Sequence, residues 1–85
     1  MRVWVSYLEA SDAVRMKIGA RGISVAEARQ LLVNRHETKP NPRNRGRMRK
    51  RLFLVGRTNG GRALTVVVEP TLDPILWQIV TAWEN

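Results

Sequence analysis

The sequence predicts a single α+β domain, in which two N-terminal helices pack on a mostly antiparallel sheet of four or five strands. Three patterns predict this class. An alternating segment near the N-terminus favours a strand, two stretches with helical spacing follow it, and several apolar segments separated by turns fill the second half. A chain of 85 residues corresponds to one small domain, so we assign residues 1–85 to it, in the order β-α-α-β-β-β.

The first strand and helix are predicted from local signals. Residues 2–7 alternate with the period of a half-buried strand, which predicts that Tyr7 lies in the core. We assign Trp4 to the core as well. Ser11 offers an N-cap for a helix, and Gly22 suits the left-handed residue that follows a helix.

A capping box marks the second helix. Ser24 and Glu27 stand three residues apart before an apolar run, so each side chain can reach the backbone amide of the other. This predicts a helix from about Val25 to Val33 that buries Ala28, Leu31 and Leu32. Glu27 could also be a catalytic acid, but capping explains it more simply.

The rest of the chain is typical of strands and turns. Residues 34–46 read as a loop with a short edge strand at Arg35–Lys39. A hairpin follows, with strands near Met48–Arg57 and Arg62–Glu69, and its Asn59-Gly60 pair is typical of a type I′ turn. The last strand is predicted over Ile75–Trp83, with strict alternation along its length. Trp77, Ile79, Thr81 and Trp83 then share one face, and we expect Trp83 to pack against the helices.

Charge is the clearest functional signal. The formal net charge is +8, and residues 34–62 hold ten Lys or Arg against the single acid Glu37. Such a concentrated field attracts a polyanion or an acidic protein. Most of these cations are Arg, whose planar fork pairs bidentately with phosphate. The alternative is a compositional bias that yields only a solvated basic face.

Composition also excludes several classes of protein. The chain has no Cys, so it has neither a disulfide scaffold nor a thiolate metal site, and we expect no metal or cofactor. No apolar run approaches the roughly 20 residues that span a bilayer. The expectation is a cytoplasmic protein without a membrane partner.

The motifs resemble a known family. The resemblance rests on the segment Gly22-Ile23-Ser24 before the second helix, the strand end Val55-Gly56-Arg57-Thr58, the turn Asn59-Gly60-Gly61-Arg62 and the last strand Val80-Thr81-Ala82-Trp83. Over residues 13–83 the chain is similar to the BrnT-like branch of the RelE/ParE superfamily of type II toxins. The resemblance implies a small basic ribonuclease with an acidic antitoxin as partner, in a hetero-oligomer or, alternatively, as a homodimer.

Three arginines correspond to the family pattern by position, namely Arg51, Arg57 and Arg62. The chain departs from the pattern in its last residues, which read Ala82-Trp83-Glu84-Asn85 where relatives carry Arg.

Cleavage of RNA without a metal needs a proton carrier and stabilisation of the charge on phosphate. His36 is the single His, and histidine exchanges protons near neutral pH. We therefore predict His36, Arg57 and Arg62 as catalytic, although a lone loop His is also typical of a solvated bystander. The predicted RNA-binding residues are Arg45, Arg47, Arg49, Lys50, Arg51 and Trp83, the last by stacking on a base.

The leading hypothesis is a toxin that cleaves mRNA or inhibits its translation, either free or on the ribosome. Two alternatives use the same fold. One is a nucleic-acid-binding domain without catalysis, and the other is a protein-interaction module whose basic face meets an acidic partner.

Overall fold

The computed structural model describes residues 5–41 and 50–85, and the structural statements below concern those residues. Two helices and five strands follow one another as β1 (Tyr7–Glu9), α1 (Asp12–Gly19), α2 (Val25–Val33), β2 (His36–Pro40), β3 (Leu52–Arg57), β4 (Ala63–Pro70) and β5 (Leu76–Glu84). The strands form one sheet in the order β1-β5-β4-β3-β2. Among the strands of the described residues, only the β1–β5 pair is parallel. The predicted α+β class with a mostly antiparallel sheet is therefore confirmed.

Both helices begin at the predicted caps. The Ser11 hydroxyl accepts a hydrogen bond from the Val14 amide at 3.2 Å. At α2, the Glu27 amide donates to the Ser24 hydroxyl at 3.1 Å, and the Ser24 amide donates to the Glu27 carboxylate at 3.2 Å. The capping box is complete, so amides at the start of the helix are satisfied by side chains. Gly22 has the predicted positive φ, at 74°.

The core lies between the helices and one face of the sheet. Its centre is formed by Ile18 of α1, Ala28 and Leu31 of α2, and the inward residues of the strands, which are Leu8, Leu54, Leu64, Val66, Val68, Trp77, Ile79 and Ala82. The prediction for Leu32 was only partly correct, because this side chain is half-buried at the margin of that cluster.

The prediction that Tyr7 lies in the core was wrong. The side chain of Tyr7 is 61% exposed, and Leu8 beside it is 2% exposed. The inward positions of β1 are offset by one residue from the predicted alternation, since a one-residue shift moves every side chain of a strand to the other face. Trp4 lies outside the described residues.

The hairpin between β3 and β4 is confirmed, but its turn is not type I′. That turn requires positive φ at both central residues, whereas in this loop only Gly61 has positive φ, at 85°. The Gly61 amide donates to the Thr58 carbonyl at 2.9 Å, and the Thr58 amide donates to the Arg62 carbonyl at 2.9 Å. The left-handed residue therefore comes one position later than predicted, in a three-residue loop.

Strict alternation along β5 was also wrong. A register shift falls between Val67 and Val68 of β4, so that Val67 pairs with Thr81 and Val68 pairs with Ile79. Val80 is the extra residue of this bulge. Beyond it Ala82 turns inward and Trp83 outward.

Trp83 therefore does not pack on the helices. It is 37% exposed, and its ring meets Phe53 of β3 edge to face with the centroids 5.9 Å apart. Both aromatic rings lie on the face of the sheet opposite the helices. No helix in residues 5–41 or 50–85 combines the length and apolar character needed to cross a membrane.

Candidate functional site

An open groove lies where the edge strand β2 meets β3, at the end that adjoins the hairpin loop. We call it the β2–β3 groove. It is lined by Asn34, Arg35, His36, Glu37, Lys39, Val55, Gly56, Arg57, Thr58, Asn59 and Gly61. The groove is lined by two of the three residues predicted as catalytic, His36 and Arg57.

Gly56 lets the two strands approach closely at this point. It pairs with His36 across the sheet. A Cβ placed on Gly56 would lie 3.0 Å from the Cβ of His36 and 3.3 Å from the carbonyl oxygen of Arg35. A side chain at this position would require these neighbours to give way by a few tenths of an ångström, so a glycine suits the close approach of β2 to β3 at His36.

The contact made by His36 defines which of its ring nitrogens carries the proton. The Nδ1 atom lies 2.9 Å from the carbonyl oxygen of Asn34. A carbonyl oxygen can only accept, so Nδ1 carries the proton when the ring is neutral. Nε2 is then an acceptor, and within the described residues it has no hydrogen-bond partner. A half-buried imidazole in this form can act as a base.

Asn34 ties the two sides of the groove together. Its Nδ2 donates to the carbonyl oxygen of Arg57 and to Oδ1 of Asn59, each at 3.0 Å. The Asn59 amide in turn donates to Oε1 of Gln30 on α2 at 2.9 Å. Sequence reasoning missed this residue. The available signal was an Asn at the predicted end of α2, two positions before the single His.

Arg57 and two neighbouring cations give the groove its charge. Arg57 is exposed, and its guanidinium donates to the Gly61 carbonyl at 2.8 Å, which holds it against the hairpin loop. Arg35 and Lys39 lie on the β2 side. Lys39 pairs with Glu37 at 3.2 Å, but both side chains are mostly exposed and such a pair is weak.

Arg62 lies apart from the groove, although it is only five positions from Arg57. Its guanidinium pairs with Glu84 at 3.0 Å and Glu27 at 3.2 Å, and it donates to the Gly22 carbonyl at 2.7 Å. The hydrogen bond to Glu84 raises the pKa of Arg62, Glu27 acts in the same direction, and partial burial opposes them. The structure thus places Arg62 among the protein's own acceptors.

Of the predicted RNA-binding residues, the structure describes Lys50, Arg51 and Trp83. Arg51 lies 3.4 Å from the Glu69 carboxylate, Lys50 is exposed, and Trp83 lies on the face of the sheet opposite the helices. Arg45, Arg47 and Arg49 lie outside the described residues.

Within residues 5–41 and 50–85, no group of three or more His, Cys, Asp or Glu side chains could hold a metal ion. Comparison of the chain with protein-family models, with curated proteins and with solved structures found no match.

Proposed function

We propose that this protein binds single-stranded RNA in the β2–β3 groove and cleaves it, as a type II toxin of the RelE/BrnT kind. The two helices and the mixed sheet would then be a version of that toxin fold. The single observation that carries the proposal is the placement of His36. Its ring has an available acceptor nitrogen, and His36 is among the residues that line the groove together with Arg57 and two further cations.

The chemistry assigned to these residues is transfer within the RNA chain. Nε2 of His36 takes the proton from a ribose 2′-hydroxyl, and the 2′-oxygen attacks the adjacent phosphorus. The bond from phosphorus to the 5′-oxygen breaks, and that oxygen takes a proton from water. Arg57 stabilises the added negative charge on the phosphate, with Arg35 and Lys39 holding the strand on either side. The products are a 2′,3′-cyclic phosphate and a 5′-hydroxyl end.

His36→Asn tests the catalytic part of this proposal. Asn can still donate to the Asn34 carbonyl but has no basic nitrogen, so the fold and RNA binding should persist. We expect cleavage of a fluorescent single-stranded RNA to fall by about 10²-fold to 10⁴-fold, as for the loss of a general base. Absence of cleavage by the wild-type protein, or undiminished cleavage by the variant, would contradict the proposal.

Arg57→Ala tests the binding part, and Lys17→Ala is its matched control. Each variant removes one positive charge. Lys17, however, lies on α1, which packs against β5, and in the sheet β4 and β3 separate β5 from β2. Measured by fluorescence anisotropy, the Arg57 variant should bind RNA more weakly and the Lys17 variant should bind like the wild type. Equal effects would indicate a diffuse charge attraction in place of a site.

A second candidate is nucleic-acid binding without cleavage. The bonding of Arg62 favours it, because a third cation predicted for catalysis is occupied by Glu27 and Glu84. This function predicts binding by the wild-type protein and by the His36→Asn variant with intact RNA in both cases. In either case an acidic partner, such as an antitoxin, would compete with RNA for the groove.

A further inference from the structure

We infer that Asn34 is a positioning residue, which fixes the protonation form of His36 and ties the start of β2 to the backbone of Arg57. This inference rests on the proposed function for its importance in catalysis, but the structural part can be tested without RNA. In the scheme above Asn34 takes no proton and stabilises no charge on the phosphate; it acts through its contacts with His36 and Arg57.

The first step concerns how residue 34 is held. Its backbone amide donates to the Gln30 carbonyl at 2.9 Å, and this bond ends α2. Its side chain donates to Arg57 and to Asn59 across the groove. Residue 34 is therefore bound to the helix on one side and to the hairpin on the other, which leaves its own carbonyl with a defined direction.

The second step concerns what that carbonyl does. It accepts the hydrogen bond from Nδ1 of His36, and so it selects the ring form with the proton on Nδ1. A neutral imidazole in water prefers the opposite form, with the proton on Nε2. That form would present a donor to the groove and could not accept a proton from a 2′-hydroxyl. The orientation of one carbonyl therefore decides whether His36 can be a base.

The third step concerns the link to Arg57. The same Asn34 side chain that fixes this carbonyl also binds the backbone of Arg57 at 3.0 Å. Movement of the hairpin is consequently coupled to movement of the Asn34 carbonyl, which is the hydrogen-bond partner of His36. Loss of the Asn34 side-chain amide should therefore change which ring nitrogen of His36 carries the proton. It should also change the distance between His36 and Arg57.

The ring form can be read directly by nitrogen NMR, since the chain contains one His and its two ring nitrogens need no further assignment. With the ring neutral, the wild-type protein should show a protonated Nδ1 and an unprotonated Nε2. In Asn34→Ala the form with the proton on Nε2 should become the major one. Asp has the same shape as Asn but lacks the side-chain NH2 donor, so Asn34→Asp should behave like the alanine variant. Asn34→Asp replaces the alanine variant in the test if that variant fails to fold.

Gln78→Ala is the control, because it removes an exposed amide from β5, away from the groove. It should leave the ring form unchanged. A wild-type ring protonated on Nε2, or an unchanged ring form in both folded Asn34 variants, would overturn the inference.

Cleavage assays then separate this inference from the proposed function. If the protein cleaves RNA, the Asn34 variants should lose about 10²-fold in kcat with little change in KM, as expected when a base is misplaced while binding persists. If the ring form responds as expected but the wild-type protein cleaves no RNA, the positioning role stands and the proposed catalysis fails. If cleavage requires His36 but the Asn34 variants retain full kcat, the positioning role fails alone.

Discussion

At the scale of single residues, Arg62 and Arg57 show how the same side chain serves different purposes at nearby positions. Arg57 is exposed at the mouth of a groove, and among the described residues its guanidinium bonds only to its own loop. Arg62 joins the α1–α2 loop, the start of α2 and the end of β5 through three acceptors, two carboxylates and one carbonyl. The planar fork of Arg suits such a junction, because it can donate in several directions at once. We therefore assign Arg62 mainly to the stability of the fold.

Replacement of Arg62 should consequently reduce thermal stability. Arg62→Ala removes one donor from each of two carboxylates and a carbonyl, so its melting temperature should fall below that of Arg62→Lys, which in turn should fall below that of the wild type. Circular dichroism during heating measures this order. Lys17→Ala removes the same charge from an exposed site and should melt like the wild type.

The effect of pH on that contribution has a definite sign. Because folding raises the pKa of Arg62, the stabilisation is fully present below the pKa of the unfolded chain and is lost only as the pH rises through the higher value of the folded state. The difference in melting temperature between the wild type and Arg62→Ala should persist from neutral to moderately alkaline pH. An Arg62→Ala variant as stable as the wild type would contradict the assignment.

At the scale of the elements, the candidate site depends on how closely β2 joins β3. β2 is an edge strand, paired on one side within the described residues, and four of its five residues are exposed. An edge strand with so little burial is held mainly by its pairing. Gly56 allows that pairing at the position of His36.

Gly56→Ala should therefore destabilise the protein, while the same change at Gly19 should not. The new methyl group at position 56 meets a side chain and a backbone oxygen, and overpacking of this kind costs about 1–3 kcal/mol. At Gly19, in the last turn of α1, a Cβ meets nothing within 4 Å, so alanine should stabilise by up to about 1 kcal/mol. Urea unfolding measures both changes, and equal values for the two variants would show that β2 tolerates displacement.

The elements also show what sequence could and could not predict. The bounds of α2 and its capping box were predicted, since caps are local signals that depend on a few adjacent residues. The bulge at Val80 and the inward position of Leu8 were not, because they depend on register with a neighbouring strand. The contact between Asn34 and His36 depends on the chain path after α2, which no periodicity encodes.

At the scale of the whole molecule, the cations of the middle region do not share one environment. Among the described residues, Arg35, Lys39 and Arg57 surround the β2–β3 groove, whereas Arg51 and Arg62 lie beside the carboxylates of Glu69, Glu27 and Glu84. The distribution of charge along the sequence predicted an anionic ligand. Only the fold, however, separates cations that line a groove from those that pair with carboxylates of the protein itself.

Salt dependence distinguishes these two groups of cations. For single strands, log K falls with log salt by about 0.7 for each phosphate contact. Arg57→Ala should reduce that slope by about 0.7 through loss of one contact, and Lys17→Ala should leave it unchanged. RNA binding measured over a range of salt concentrations gives both slopes. A slope that responds equally to the two variants would contradict a localised site.

The central claim is that the β2–β3 groove is where RNA binds. Its most direct test is an NMR titration of the labelled protein with a single-stranded RNA whose 2′-hydroxyls are methylated, so that cleavage cannot occur. We expect the largest amide shifts in residues 34–39 and 55–61, with α1 unaffected. Shifts concentrated on α1 and the α1–α2 loop, or no shifts at all, would contradict the claim.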